Sequence, residues 1–343
     1  MENLPKFEVV GAVPEDEKEK FKVCKMNTFL KQEDAEIATE RERREIKQTE
    51  YAKTPEQIAI LEFINNETNR LMLECGVEPF DIPIKNYHIL PKKELKKYFD
   101  SETGGYEGRA SAIGLSSELR SDLLRFAVVA FHEALHMKSR EVWELYKNKE
   151  EKIKEQRYRG GVRATSPHKK DEASRPVTHF SGLDEGIVAW QEKISFLKLL
   201  DLPELAEEKK RRESEENTKI RQKIAKERKR PEDEIFWVDP LDEKNWTGVG
   251  YNKQREVLEY VCCEILKEFG DKYKAKEDVF KEFLKANFDG NLISIARLMK
   301  ETFGDMGLRI LGMMKTDNEK GGVNNVLETL MKIRRNILKD KNK

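Results

Sequence analysis

The stretch LRSDLLRFAVVAFHEALHMKS, residues 119–139, decides the fold that we predict for this chain. Its apolar residues run without a break from 126 to 131, which indicates a helix buried on most of its circumference. Ser116 and Ser117 stand before it as candidate N-cap residues. The histidines near the end of this helix are therefore expected to lie in the middle of the fold.

Residues 132–136 of this helix read His-Glu-Ala-Leu-His. His132 and His136 are four residues apart, so they stand one above the other on the same helix face and can both reach one metal ion. Glu133 is rotated by about 100° from His132, which keeps it out of the ligand set but within reach of a water at the metal. The alternative is a pair of partly exposed histidines, with Glu133 in a surface ion pair. The apolar surroundings argue against it, because unpartnered polar groups are costly to bury.

A catalytic zinc needs a third protein ligand and an open position for water. Glu185 is our candidate, because it begins a second apolar helix in the stretch GLDEGIVAW, residues 182–190. Gly186 beside it would let the two helices approach closely. The alternative for Glu185 is an ordinary acidic residue in a first helical turn, favoured there by the helix dipole. His179 is the competing third ligand.

The pair FHEALH, residues 131–136, and LDEGIVAW, residues 183–190, resembles the thermolysin-like, or gluzincin, metallopeptidases. In that family a glutamate from a later helix completes the HExxH site, often within an Asp-Glu-Gly context. The resemblance implies that zinc is the cofactor, with His132, His136 and Glu185 as ligands and Glu133 as the general base. It covers roughly residues 80–200.

The resemblance also carries expectations about substrate binding. It implies that Ala110 to Leu115 is the edge strand that such enzymes place above the site to align a peptide. A downstream tyrosine or histidine stabilises the oxyanion in the family. Tyr251 is our candidate for that role and His179 the second choice, and a packing role is the alternative for the tyrosine.

The sequence departs from the family pattern at two places. Some members carry an acidic residue one turn after the third ligand, where it orients a histidine, but that position is Ala189 here. The partner of the histidine must then come from elsewhere. The polar segment between Lys138 and Thr178 is longer than the link in thermolysin, and we expect a helix around Trp143 followed by irregular structure.

We predict an α+β fold that is predominantly helical, with a zincin-like catalytic domain, a small edge sheet and a helical C-terminal part. Residues 1–50 are expected to form a charged N-terminal part, either a loosely attached arm or a surface helix. Residues 51–200 are expected to form the catalytic domain with an insertion at 138–178, and residues 201–343 a charged helix and a helical subdomain. Local patterns predict a helix from Thr54 to near Gly76, a strand from Tyr87 to Leu90, and a loop that contains Trp237 and Trp246.

Composition limits the possible partners. The 65 basic and 65 acidic residues balance, so no overall field favours nucleic acid or an anionic membrane. Residues 207–230 carry 11 Lys or Arg against 6 Glu, which leaves local nucleic-acid binding as an alternative to a solvated, ion-paired helix. The four cysteines form no CxxC pair, and no leader or 18-residue apolar run stands out. We expect a cytoplasmic protein with no membrane or nucleic-acid partner.

These patterns together predict a zinc-dependent peptidase that acts on a peptide or protein substrate. The alternative is a catalytically inactive, peptidase-like protein that binds zinc and serves in interactions. A di-iron bundle is disfavoured, because Glu133 to His136 is the single Glu-x-x-His spacing in the chain and that design needs two.

Overall fold

The computed structural model describes residues 4–5, 7–31, 48–108, 111–148, 150–166, 177–239, 242–316 and 322–341. Helices dominate these residues and the strands form three small sheets, so the expected α+β, mainly helical class is confirmed. None of the helices described is long and apolar enough to cross a bilayer.

The helices are α1 (Glu15–Lys31), α2 (Pro55–Glu74), α3 (Lys92–Phe99), α4 (Leu123–Lys138), α5 (Ser181–Leu200), α6 (Ala206–Glu213), α7 (Glu215–Arg228), α8 (Asn252–Glu268), α9 (Lys276–Asp289), α10 (Ile293–Phe303), α11 (Gly307–Gly312) and α12 (Gly322–Lys341). The strands are β1 (Phe7–Val10), β2 (Tyr87–Leu90), β3 (Gly104–Glu107), β4 (Ala112–Ser116), β5 (Glu141–Lys147), β6 (Ile153–Gly160), β7 (Arg163–Thr165), β8 (Thr178–His179), β9 (Ile235–Asp239) and β10 (Asp242–Gly248). The predicted helix after Thr54 and the strand from Tyr87 are confirmed as α2 and β2.

Helix α4 is the central helix of the core, as its apolar run predicted. Its side chains at 126, 127, 130, 131, 134 and 135 are fully buried, and it packs against α2 and α5. The predicted cap was wrong, because Ser116 caps a short 3₁₀ turn (Ser117–Ser121) and Asp122 caps α4. The Asp122 carboxylate accepts a hydrogen bond of 2.9 Å from the backbone N–H of Arg125, directly before the apolar run.

The sheet beside α4 has the strand order β2-β4-β3. Strand β4 pairs with β2 in parallel and with β3 antiparallel, so the prediction that Ala110 to Leu115 forms the edge strand was wrong. Ala110 itself lies outside the described residues. Every residue of β4 is buried, which is typical of a central strand. Within the described part of the chain, β3 is the strand at the edge near the site.

Residues 7–31 do not form a loose arm. Strand β1 pairs in parallel with β5, and α1 packs on the same sheet with Lys25, Thr28 and Phe29 fully buried. The charge pattern was misleading because the charged residues of α1 occupy its outer side and pair with one another. The rest of the predicted arm, at 32–47, lies outside the described residues.

The insertion is also more regular than expected. Trp143 lies in β5 and not in a helix, within the sheet β1-β5-β6-β7-β8. Val142, Trp143 and Leu145 are buried, and strand pairing with β1 and β6 decides the conformation of this apolar and charged segment. Residues 167–176 of the insertion lie outside the described residues.

The C-terminal part is helical, as predicted, and the charge-dense stretch forms α6 and α7. Trp237 and Trp246 lie in the β9–β10 hairpin, where we had expected a loop. Helix α5 packs on α8 and α9, and one continuous cluster of buried apolar side chains extends from Phe29 to Leu330. The C-terminal helices therefore share a core with the helix that carries the histidines.

Candidate metal centre

Three side chains from two helices converge on one point. His132 Nε2 lies 3.3 Å from His136 Nε2 and 3.4 Å from Glu185 Oε2, and His136 Nε2 lies 3.2 Å from the same carboxylate oxygen. His132 and His136 are on α4, and Glu185 is in the first turns of α5. These three residues form a group that can hold a metal ion.

The approach of α5 to the histidines depends on its neighbours. A Cβ placed on Gly186 would lie 3.3 Å from the Cβ of Gln254, so this glycine faces α8. We had expected it to face α4. At the start of the helix, the Gly182 N–H donates to the carbonyl of Met314 at 2.9 Å. The C-terminal helices therefore position α5, and with it Glu185.

Each imidazole also meets a carboxylate on its other side. His132 Nδ1 lies 2.8 Å from Glu192 Oε2, and His136 Nδ1 lies 3.5 Å from Asp184 Oδ2. A proton on each Nδ1 leaves the Nε2 lone pair free for a cation. Glu192 lies two turns after Glu185 on α5, so it takes the part that we had looked for at the position of Ala189.

The convergence leaves three acceptor atoms facing one another, which requires a proton or a cation between them. Burial lowers the pKa of His132, but its hydrogen bonds to Glu185 and Glu192 outweigh burial and hold that pKa well above its ordinary value. Burial raises the pKa of Glu185, yet the charge of His136 and bonds to both histidines bring it well below its usual range. A positive charge is therefore strongly favoured at this point, and either a proton or a metal cation can supply it.

Arg163 of β7 binds the side of Glu185 that faces away from the histidines. Its Nη2 lies 3.0 Å from Glu185 Oε1 and 3.0 Å from Asp184 Oδ2. Because Oε1 is engaged in this way, Oε2 is the oxygen left facing the two imidazoles. The insertion thus contributes to the centre through a residue that no local sequence pattern indicated.

Glu133 lies beneath strand β3. A Cβ placed on Gly104 would lie 3.5 Å from Glu133 Oε1 and only 2.3 Å from Val129 Cγ1, so a glycine is needed where β3 crosses α4. The Glu133 carboxylate forms no hydrogen bond or ion pair with another described residue. Burial raises its pKa, and the two neighbouring imidazoles offset that shift only in part. A carboxylate in this setting is a stronger base than one in water.

Tyr251 lies against the histidines, as the oxyanion role requires. It precedes α8 with a positive φ of 50°, and its ring stacks on that of His132 with centroids 5.9 Å apart. Burial raises the pKa of its hydroxyl, and the negative charges of Glu185 and Glu133 raise it further. The hydroxyl is therefore protonated at neutral pH and is a hydrogen-bond donor.

A cluster of polar side chains from α1 and β5 contacts β3 and the turn that follows it. Tyr106 of β3 donates a hydrogen bond of 2.5 Å to Glu141, and the Lys25 ammonium lies 3.6 Å from the same carboxylate. Lys25 also donates to Ser111 Oγ at 2.8 Å and to the carbonyl of Gly108, in the turn after β3. Helix α1 and strand β5 therefore anchor the strand that covers Glu133.

Of the residues that the sequence selected, His132, His136 and Glu185 form the ligand group, while Glu133 and Tyr251 lie beside it. His179 is exposed on β8 and is not part of the group. Comparisons of the chain with protein-family models, with curated proteins and with solved structures found no match.

Proposed function

We propose that this chain is a zinc-dependent peptidase of zincin-like architecture, with His132, His136 and Glu185 as the zinc ligands. The convergence of two Nε2 atoms and one carboxylate oxygen carries this proposal. Two imidazoles and a carboxylate are a donor set typical of catalytic zinc, and they leave a fourth position free for water. Bound zinc lowers the pKa of such a water to about 7 and polarises a carbonyl as a Lewis acid.

The protein residues around the ligands have complementary roles in peptide hydrolysis. Glu133 takes the proton of the attacking water and returns it to the leaving amine. Tyr251 donates a hydrogen bond to the oxyanion that develops on the scissile carbonyl. Glu192 and Asp184 keep the two imidazoles in the tautomer and orientation that present Nε2.

Strand β3 is the element that would align the substrate. Its pairing with β4 leaves the other edge without a partner strand among the described residues. An extended peptide that adds to this edge is held through backbone hydrogen bonds, which suit many sequences. Because a Cβ on Gly104 would lie 3.5 Å from Glu133 Oε1, a peptide bound at this edge would pass close to the proposed base.

The first prediction concerns zinc content. Purified wild-type protein is expected to contain about one zinc per chain and to digest casein or a peptide library, and a chelator should stop digestion. Glu185→Ala should lose most of the zinc, because two imidazoles alone bind it weakly. His179→Ala is the matched control and should keep it. Unchanged zinc affinity in Glu185→Ala would contradict the ligand assignment, and zinc without digestion would favour the inactive, zinc-binding alternative.

The second prediction concerns Glu192. Glu192→Gln is expected to lower zinc affinity by about 10- to 100-fold, since the charge that orients His132 and makes it more basic is lost. Competition with a chromophoric chelator measures the affinity. Glu216→Gln, on the exposed surface of α7, serves as the control. Equal affinities in all three proteins would show that His132 needs no carboxylate partner.

A further inference from the structure

The face of α4 that carries Glu133 also carries an arginine two turns before it. Arg125, Val129 and Glu133 are spaced four residues apart and form one row along the helix surface. A rise of about 1.5 Å per residue places Arg125 about 12 Å from Glu133 along the helix axis. Strand β3 covers the middle of the row, at Val129.

Two guanidinium groups lie close to one indole ring at the Arg125 end of this row. The Cζ atoms of Arg125 and Arg211 lie 5.6 Å and 5.7 Å from the ring centroid of Trp237. Arg211 is on α6 and Trp237 on β9, and all three side chains are half-buried. We refer to Arg125, Arg211 and Trp237 as the cationic cluster.

The described carboxylates do not neutralise the charges of the cationic cluster through ion pairs. Among the described residues, no carboxylate lies within ion-pair distance of either guanidinium. Asp122 is near both, but one of its oxygens caps α4 and burial raises its pKa. One carboxylate thus faces two cations.

Two other arginines in this part of the chain, on α8 and α7, do form ion pairs. Arg255 pairs with Glu234 at 2.7 Å, and Arg221 pairs with Glu232 at 2.8 Å. The indole N–H of Trp237 is also buried without a hydrogen-bond partner. Among the described residues, the cationic cluster therefore keeps an excess of positive charge and a buried hydrogen-bond donor without a partner.

We propose that the cationic cluster is a specificity subsite for a carboxylate of the peptide substrate. The inference rests on the proposed peptidase function. An arginine guanidinium binds a planar carboxylate through two parallel hydrogen bonds, and stacking on an indole restricts the orientation of the guanidinium plane. An extended chain advances about 3.3 to 3.6 Å per residue, so 12 Å corresponds to about three or four residues from the scissile bond. The substrate therefore carries an acidic side chain, or its C-terminal carboxylate, at that distance.

Peptide binding to the Glu133→Gln protein tests the subsite without requiring turnover. The probes are four pools of fluorescent decapeptides, which carry either Glu or Gln at the third and fourth positions from the centre and end in either a free or an amidated C-terminus. The Glu pools are expected to bind about tenfold or more tightly than the Gln pools. A preference confined to free C-termini would assign the subsite to the terminal carboxylate instead.

Variants of the cluster separate recognition from packing. Arg125→Gln and Arg211→Gln in the same background should each remove most of the preference and leave binding of the Gln pools unchanged. Arg228→Gln is the matched control, because Arg228 stacks on Trp246 of the same hairpin at 5.9 Å. Arg125→Lys should restore part of the preference through its charge.

Two outcomes would overturn the inference: equal affinity for the four pools, or an equal loss for all pools in the variants, which would indicate packing alone. Failure of the peptidase proposal looks different. Wild-type protein that prefers acidic peptides but hydrolyses none of them would retain the subsite and reject the hydrolysis. Wild-type protein that hydrolyses both sets equally would reject the subsite alone.

Discussion

Glu133→Gln protein is expected to keep its zinc and to hydrolyse peptides about 10²- to 10⁴-fold more slowly than the wild type. The amide has the shape of the carboxylate but cannot accept the proton of the attacking water. Zinc should remain, because Glu133 lies outside the ligand group and its carboxylate forms no ion pair that the substitution would break. The measurements are kcat/KM on a fluorogenic peptide and elemental analysis of the same samples.

The control for this experiment is Glu118→Gln. Glu118 is an exposed glutamate in the turn before α4, so its substitution removes the same charge without touching the site. It should leave both rate and zinc content unchanged. Wild-type rates in purified Glu133→Gln protein would exclude the general-base role, whatever the metal content.

Lys138→Met is expected to abolish a large rise of stability with pH that the wild type should show. Lys138 is 1% exposed at the end of α4, and burial lowers its pKa from 10.5 to about 7. Its ammonium donates to Asn69 Oδ1 at 2.6 Å and to the carbonyl of Asn65 at 3.3 Å, but no carboxylate pairs with it among the described residues.

The sign follows from proton binding. Between pH 7 and 10.5 the unfolded chain holds a proton on Lys138 and the folded chain does not, so the free energy of unfolding rises with pH across this window. The stability is therefore lost as pH falls from 10.5 to about 7, and below that range Lys138 is protonated in both states and the dependence ends. A pKa lowered from 10.5 to about 7 corresponds to at most about 5 kcal/mol of stability.

Urea denaturation of the wild type and Lys138→Met at pH 6 and pH 10 measures this effect. The difference between the two proteins should change by about 3 to 5 kcal/mol between the two pH values, with the variant relatively more stable at pH 6. Lys93→Met, at an exposed position of α3, is the control and should follow the wild type. Parallel pH dependence in all three proteins would mean that Lys138 is charged in the folded state.

The position of the two histidines on one helix face was predictable, because it depends on a spacing within one helix. Once residues 123–138 are helical, a four-residue spacing places His132 and His136 on one face whatever surrounds them. Their burial was also predictable, since the apolar run before them can be satisfied only inside a core. Glu185 could be selected from its position at the start of a second apolar helix. No local rule, however, predicted that this helix would bring it to the histidines.

The partners of the site residues depended on elements far apart in the sequence. Because Ala189 occupies the position one turn after Glu185, we expected the partner of the histidine to come from elsewhere, but no local pattern selected Glu192, which lies two turns on and reaches His132. Arg163 reaches Glu185 only because β7 belongs to a sheet that begins with β1. In the sequence, Glu192 and Arg163 look no different from the other glutamates and arginines of the chain.

The sequence by itself determined the helix that carries His132, Glu133 and His136, the second apolar helix with Glu185, and the mainly helical class, because each follows from periodicity within a short segment. The tertiary structure alone decided that β4 is central and β3 forms the edge, that residues 7–31 belong to the core, and that Glu192, Asp184 and Arg163 complete the centre. Strand pairing and helix rotation join residues many positions apart, and their energies depend on partners that a local pattern does not contain.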